Sequence, residues 1–135
     1  MKRNPKILIV DDFETVRLFL RNALNQIDIE NIEEASDGKE ALHMIMNEQK
    51  SPKPFDLVFC DWNMPEMTGI ELLTELRKVP ETQALPFVMV TAESETSSVE
   101  SALRAGSTDY ITKPFTVDGL REKIEGIFSR LVKAS

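Results

Sequence analysis

Short apolar runs alternate with longer amphipathic stretches along the chain. The runs at 7–10, 55–60 and 87–90 are apolar at almost every position, as strands are when helices cover both faces of a parallel sheet. Two further runs, at 31–35 and 108–112, are more polar and suit the edges of such a sheet. The pattern therefore predicts five strands.

Between these runs, apolar residues recur with the period of a helix. Two amphipathic helices are predicted from apolar side chains on one face, namely Val16, Leu20, Ala23, Leu24 and Ile27 in the first and Val117, Leu120, Ile124, Ile127, Phe128 and Leu131 in the last. Asp37 and Thr68 each lie three residues before a glutamate, a capping-box pattern that marks the starts of a second and a third helix. A further helix is predicted over 96–105, ending at Gly106.

Strands that alternate with helices in this way predict an α/β fold, with right-handed crossovers and a parallel sheet covered by helices on both faces. Five strands are too few for a closed eight-stranded barrel, so we expect an open, doubly wound sheet. Ligands of such sheets bind beyond the carboxyl ends of the strands, where the strand order reverses. Functional residues are therefore expected at that edge.

The composition indicates one folded domain and excludes several classes of function. The chain has 135 residues, with 23 acidic and 16 basic side chains and a net charge of −7, which opposes nonspecific binding to nucleic acid or anionic membranes. Its single cysteine, Cys60, cannot form an internal disulfide, and no apolar run is long enough for a signal peptide or a membrane span. We expect one domain over residues 1–135, located in the cytoplasm and not inserted in a membrane.

Side chains able to support chemistry come directly after the predicted strands. Asp11 and Asp12 follow the first strand, Asp61 the third and Thr91 the fourth, and Lys113 follows the fifth. Each residue alone is typical of a helix cap or a turn. If the first and third strands are neighbours, three carboxylates converge and repel one another unless one is protonated or a cation binds between them. Together these residues favour a Mg²⁺ site suited to metal-assisted phosphoryl transfer.

Four motifs of the chain are similar to those of the receiver domains of two-component response regulators: Asp11-Asp12-Phe13, Asp61-Trp62-Asn63-Met64-Pro65, Val90-Thr91-Ala92-Glu93 and Lys113-Pro114-Phe115-Thr116. The resemblance covers nearly the whole chain. It is closest to the chemotaxis members of that family, which share Trp62 after the acceptor aspartate and Tyr110 before the Lys-Pro pair. It implies a flavodoxin-like (βα)5 fold with strand order 2-1-3-4-5, as a single receiver domain without an output domain.

The resemblance also implies a role for each matching residue. Asp61 would be the phosphoacceptor, and Lys113 and Thr91 would contact the phosphoryl oxygens. Mg²⁺ would be held by the side chains of Asp11, Asp12 and Asp61 and by the backbone carbonyl of Asn63.

A switch and a partner face are implied as well. Thr91 and Tyr110 would respond to phosphorylation, and Asn63 and Glu93 would tune dephosphorylation. Partners would bind a face formed by four residues: Tyr110, Lys123, Glu95 and Glu100. This face differs from that of familiar relatives, because the segment leading into the helix predicted at 96–105 is acidic where those relatives have lysines.

The resemblance implies a chemotaxis-type response regulator, which takes a phosphoryl group from a histidine kinase and switches its binding to the flagellar motor switch protein, controlling rotation. It would be a monomer that catalyses only its own phosphorylation and dephosphorylation, with a dedicated phosphatase as a further partner. Two alternatives stay open: a stand-alone receiver in another two-component pathway or phosphorelay, and a hydrolase that forms an aspartyl phosphate. Neither nucleic acid nor a membrane is expected as a partner.

Overall fold

Five parallel strands form the sheet of the computed structural model, which describes residues 5–62, 64, 66–92, 104, 106–113 and 115–134. The strands are β1 (Ile7–Val10), β2 (Ile32–Ala35), β3 (Leu57–Asp61), β4 (Phe87–Ala92) and β5 (Asp109–Lys113). Their order in the sheet is β2-β1-β3-β4-β5, which confirms the doubly wound α/β fold. The two more polar strands, β2 and β5, lie at the edges as predicted.

Four helices are present among the described residues: α1 (Glu14–Asn25), α2 (Gly38–Glu48), α3 (Gly69–Arg77) and α4 (Val117–Ala134). The helix predicted over 96–105 lies outside the described residues except for Arg104. Gly106, its predicted end, has φ +105°, a left-handed conformation that glycine adopts without steric cost and that is common where helices end. None of the helices in the described part of the chain has the length and apolar character needed to cross a membrane.

Side-chain caps fix the starts of α2 and α3 at the predicted residues. At α3, the Thr68 hydroxyl accepts the Glu71 N–H at 3.2 Å and the Glu71 carboxylate accepts the Thr68 N–H at 3.1 Å, so the capping box is complete. At α2, Asp37 accepts the Glu40 N–H at 2.8 Å. The Glu40 carboxylate, however, accepts the N–H and the hydroxyl of Ser36. The start of α2 is therefore capped as predicted, but its glutamate bonds one residue further back.

Hydrophobic cores lie on both faces of the sheet. Successive residues of a strand alternate between them. Ile7 and Ile9 pack with α1 and α4 on one face, whereas Leu8 and Val10 pack with α2 and α3 on the other. Because both faces are covered, the central strands are apolar along most of their length instead of alternating with polar residues, and Asp61 and Thr91 lie only at their carboxyl ends.

The strand register brings functional residues to one edge of the sheet. Val10 of β1 pairs with Cys60 of β3. The next residues, Asp11 and Asp61, therefore stand side by side where the two strands end. Thr91 is the residue of β4 that follows the partner of Asp61. The carboxyl edge predicted to carry the chemistry is thus assembled by backbone pairing alone.

Candidate metal centre

Three carboxylates meet at the carboxyl edge of the sheet. Asp11, Asp12 and Asp61 each offer one oxygen atom, and these oxygens lie within 4.8 Å of one another. Asp11 is 1% exposed and Asp61 is 9% exposed, so both carboxylates lose most of their hydration on folding. These three residues, here called the acidic cluster, are the carboxylates that the sequence predicted to converge.

Lys113 reaches the acidic cluster from the end of β5. Its ammonium nitrogen lies 3.3 Å from Oδ1 of Asp61 and 3.6 Å from Oδ2 of Asp11. These distances allow strong attraction at a partly buried site. One ammonium beside three carboxylates still leaves an excess of negative charge, so Lys113 offsets only part of the repulsion.

Burial and repulsion both oppose ionisation in the acidic cluster. The pKa of Asp61 is raised to about 6, first because burial removes water from the carboxylate and second because Asp11 lies close. Burial also raises the pKa of Asp11, although the Phe13 N–H and the Lys113 ammonium oppose that shift. A cation bound among the three carboxylates would favour their ionised forms.

Two buried polar atoms at this edge have no hydrogen-bond partner within the part of the chain that the structure describes: Oδ1 of Asp12 and Oγ1 of Thr91. Buried polar atoms are normally paired, and an unpaired one costs on the order of 1–3 kcal/mol. The Asp12 oxygen belongs to an all-carboxylate donor set, which suits a hard cation such as Mg²⁺. The residues present therefore fit a magnesium ion.

Tyr110 and Lys123, both predicted for the partner face, lie together between β5 and α4. The Lys123 ammonium is 4.9 Å from the centroid of the Tyr110 ring and 3.1 Å from Oδ1 of Asp109. The same Asp109 oxygen accepts the Tyr110 N–H at 2.8 Å. All three side chains line an open groove, so Asp109 organises two residues of the predicted face.

The remaining predicted residues fall into two groups. Thr91 and Tyr110, the predicted switch pair, lie on neighbouring strands, with Thr91 fully buried and Tyr110 partly buried. The residues predicted to bind Mg²⁺ through a carbonyl, to tune dephosphorylation or to complete the partner face lie outside the described residues: Asn63, Glu93, Glu95 and Glu100.

The sequence pattern did not point to Arg17, whose guanidinium contacts the backbone of the acidic cluster. Its Nη1 donates to the carbonyl oxygen of Asp11 at 2.6 Å, and its Nε donates to Glu34 at 2.9 Å. The available signal was a pair of arginines, Arg17 and Arg21, on the helix that follows the first two aspartates, together with a glutamate on a polar strand. Charged residues in such places usually indicate a solvated surface.

Comparison with known proteins gives consistent matches in sequence and in fold. Residues 7–125 match the response regulator receiver domain. The chain is 44% identical over 131 residues to the chemotaxis protein CheY-3 of Vibrio cholerae, covering 97% of each. It is 45% identical over 126 residues to the chemotaxis protein CheY of Pseudomonas aeruginosa, covering 93% of this chain and 98% of that protein. A candidate response regulator from Chloroflexus aurantiacus has a similar structure, with a TM-score of 0.85, 32% identity, and coverage of 94% of this chain and 99% of that one.

Proposed function

Because this chain belongs to the response regulator receiver domain family, we propose that it is a chemotaxis-type response regulator. Asp61 accepts a phosphoryl group from a histidine kinase, and the phosphorylated protein changes its affinity for a flagellar motor switch protein. The observation that carries the proposal is the meeting of Asp61 with two further carboxylates and Lys113 at one edge of the sheet. Similarity to two chemotaxis proteins supports the choice of pathway.

In this proposal Asp61 acts as the nucleophile. One of its carboxylate oxygens attacks phosphorus while the P–N bond to the donor's phosphohistidine breaks, and the electron pair of that bond stays on the imidazole nitrogen. The product is an aspartyl phosphate. Burial, with the charge of Asp11, raises the pKa of Asp61 to about 6, so at neutral pH the side chain is still mostly ionised and is more basic than an ordinary aspartate.

Lys113 and Thr91 supply contacts to the transferred group. The Lys113 ammonium already donates to Asp61 at 3.3 Å, and it follows the negative charge as that charge moves onto the phosphoryl oxygens. The buried Thr91 hydroxyl, unpaired among the described residues, donates to one of those oxygens. Mg²⁺, held by the acidic cluster and the backbone carbonyl of Asn63, would neutralise charge on the transferring group.

Phosphorylation then changes the partner face. The group adds about −1.5 to −2 charges and three acceptor oxygens beside Thr91. Thr91 moves toward these oxygens, and the space behind it admits the ring of Tyr110. The surface around Tyr110 and Lys123 is rearranged, and a motor switch protein in the cytoplasm binds the new arrangement. The monomeric protein acts catalytically only on itself, with Asn63, Glu93 and a dedicated phosphatase setting the lifetime of the phosphorylated form.

Incubation with acetyl phosphate and Mg²⁺ tests the phosphoacceptor. We expect one phosphoryl group per chain by intact-protein mass spectrometry, and none on the Asp61→Asn variant. The matched control is Asp118→Asn, which removes an exposed carboxylate of α4 and should leave labelling unchanged. Labelling of Asp61→Asn to the wild-type extent would identify another acceptor. Steady turnover of phosphomonoesters would favour the hydrolase alternative.

Peptide binding tests the output. A peptide from a flagellar motor switch protein is titrated against the protein with and without beryllofluoride, which imitates the phosphoryl group on aspartate. Coupling between two such sites is typically about 1–3 kcal/mol, or about 5–150-fold in affinity, and we expect the beryllofluoride form to bind more tightly. Equal affinity in the two states would contradict a motor-switch output and favour another two-component pathway.

A further inference from the structure

Arg17 bridges two strands of the sheet from the first turn of α1. Its Nη1 donates to the backbone carbonyl of Asp11, just past the end of β1, at 2.6 Å, and its Nε donates to Glu34 on β2 at 2.9 Å. The Arg17 side chain is only 15% exposed. A guanidinium held at both ends in this way is fixed in direction as well as in position.

Glu34 is held in turn by a second arginine. Its other carboxylate oxygen accepts Nε of Arg21 at 2.8 Å, and Nη2 of Arg21 donates to the carbonyl oxygen of Ile32 at 3.1 Å. The two arginines lower the pKa of Glu34 against the opposing effect of burial. Glu34 is therefore ionised at neutral pH, and its single negative charge is shared between the two arginines.

The peptide group that Arg17 contacts links two members of the acidic cluster. The Asp11 carbonyl belongs to the peptide between Asp11 and Asp12. The Asp11 side chain is oriented by the Phe13 N–H at 2.9 Å and by Lys113 at 3.6 Å. Oδ1 of Asp12 has no hydrogen-bond partner within the described ranges, so the position of this oxygen depends on the backbone that carries it.

We propose that Arg17 is a positioning residue of the acidic cluster, which fixes the peptide between Asp11 and Asp12 so that the Asp12 carboxylate faces Asp61. The inference rests on the proposed function, since it assumes that the acidic cluster binds a divalent cation. Partners that orient metal ligands from outside typically contribute about 10–100-fold to metal affinity. Arg17 acts through a backbone carbonyl, so its effect belongs at the lower end of that range.

Two arginine variants separate positioning from general stability. Arg17→Met and Arg21→Met each remove one guanidinium contact to Glu34 and one hydrogen bond to a backbone carbonyl. Only Arg17→Met releases the carbonyl of Asp11. The two variants should therefore lose similar amounts of stability in metal-free urea unfolding, but they should differ in Mg²⁺ affinity.

Titration with MgCl₂ at constant ionic strength, followed by Trp62 fluorescence and by calorimetry, measures that affinity. We expect Mg²⁺ to bind Arg17→Met about 10-fold more weakly than wild type, and Arg21→Met within about twofold of wild type. Arg17→Lys should also bind more weakly, by about threefold or more, because one ammonium cannot span Glu34 and the Asp11 carbonyl together. If Arg17→Met is too unstable to titrate, the Mg²⁺ affinity of Arg17→Lys is compared with that of Arg21→Met instead.

Two results would overturn the inference. Wild-type affinity in both Arg17 variants would show that the Asp11 carbonyl needs no such contact. Equal losses in the Arg17 and Arg21 variants would assign both residues to stability alone. A wild-type protein that shows no saturable Mg²⁺ binding would instead count against the proposed function, which distinguishes the two failures.

Discussion

Asp61 combines burial with a like charge nearby, and this combination makes stability depend on pH. Its folded pKa is about 6, against an ordinary value of 3.8. Between these values the folded protein holds a proton that the unfolded chain has released, so the metal-free fold becomes more stable as pH falls through 6. We expect the free energy of unfolding to increase by on the order of 1 kcal/mol from about pH 7.5 to about pH 5 through this group.

Urea unfolding of wild type and of Asp61→Asn, both in EDTA, isolates this contribution from those of other groups. Asn has no charge to lose, so the variant should be the more stable protein at neutral pH, and the difference should shrink toward pH 5. Parallel stability curves for the two proteins across this range would contradict the raised pKa.

At the scale of elements, the tight fit of α3 against β3 holds Asp61, the proposed phosphoacceptor, in place. A Cβ atom at Gly69, the first residue of α3, would lie 2.4 Å from the carbonyl oxygen of Asp61. Gly69→Ala must therefore push α3 away from β3, and we expect it to destabilise the protein by about 1–3 kcal/mol and to slow labelling by acetyl phosphate.

The control for this change is another helical glycine. A Cβ atom at Gly126 of α4 meets nothing within 4 Å, so Gly126→Ala should be neutral or stabilise by up to about 1 kcal/mol through helix propensity. Thermal unfolding and labelling rates of both variants are the measurements. A Gly69→Ala variant that behaves like Gly126→Ala would show that the close approach is not needed.

The contact between β5 and α4 also predicts how the partner face responds to charge. Asp109 holds the Lys123 ammonium at 3.1 Å, so an acidic partner has to compete for Lys123. Asp109→Asn keeps an acceptor for the Tyr110 N–H but removes the charge, and we expect a motor-switch peptide to bind about 2–5-fold more tightly, the range of a partly exposed ion pair. The gain should decrease at high salt.

Glu122→Gln provides the comparison for this prediction, because Glu122 lines the same groove and has the same charge. Peptide titrations at two ionic strengths should show a smaller gain for Glu122→Gln than for Asp109→Asn. Equal gains would mean that net charge alone controls the face, without a specific role for the pair of Asp109 and Lys123.

Local signals and long-range contacts differ in how far the sequence predicts them. The caps at Asp37 and Thr68 were predictable, because a cap joins residues within one turn. The bond of Glu40 to Ser36 and the contact of Arg17 with the Asp11 carbonyl depend on how the chain turns after a strand. Hydrophobic periodicity carries no information on such turns, so these contacts were not predicted.

At the scale of the whole molecule, the number of strands was predictable from periodicity, and the convergence of the three carboxylates was predictable only on the condition that the first and third strands are neighbours. The strand order was implied only by the family resemblance, because periodicity does not state which strands are neighbours. The raised pKa of Asp61 also needed the structure, since it follows from the depth at which the side chain is buried.

The whole molecule should also respond to Mg²⁺ through its stability. The chain has a net charge of −7, and a cation that binds only the folded state stabilises that state by mass action. We expect millimolar Mg²⁺ to raise the melting temperature of wild type, and to raise that of Asp12→Asn much less. KCl at equal ionic strength controls for screening. If Mg²⁺ does not change the melting temperature of wild type, that result would argue against a preformed site.

The strand order has a consequence for the folding pathway. β1 pairs with β2 on one side and with β3 on the other, and only the second pairing joins β2-β1 to β3-β4-β5. That pairing closes the longest loop in the sheet, and loop closure of this kind tends to limit folding rates. Val58→Ala, in β3, should therefore slow refolding, whereas Ile111→Val, in the edge strand β5, should mainly accelerate unfolding. Stopped-flow refolding and unfolding in urea would show whether β1 pairs with β3 before the edge strand β5 joins the sheet.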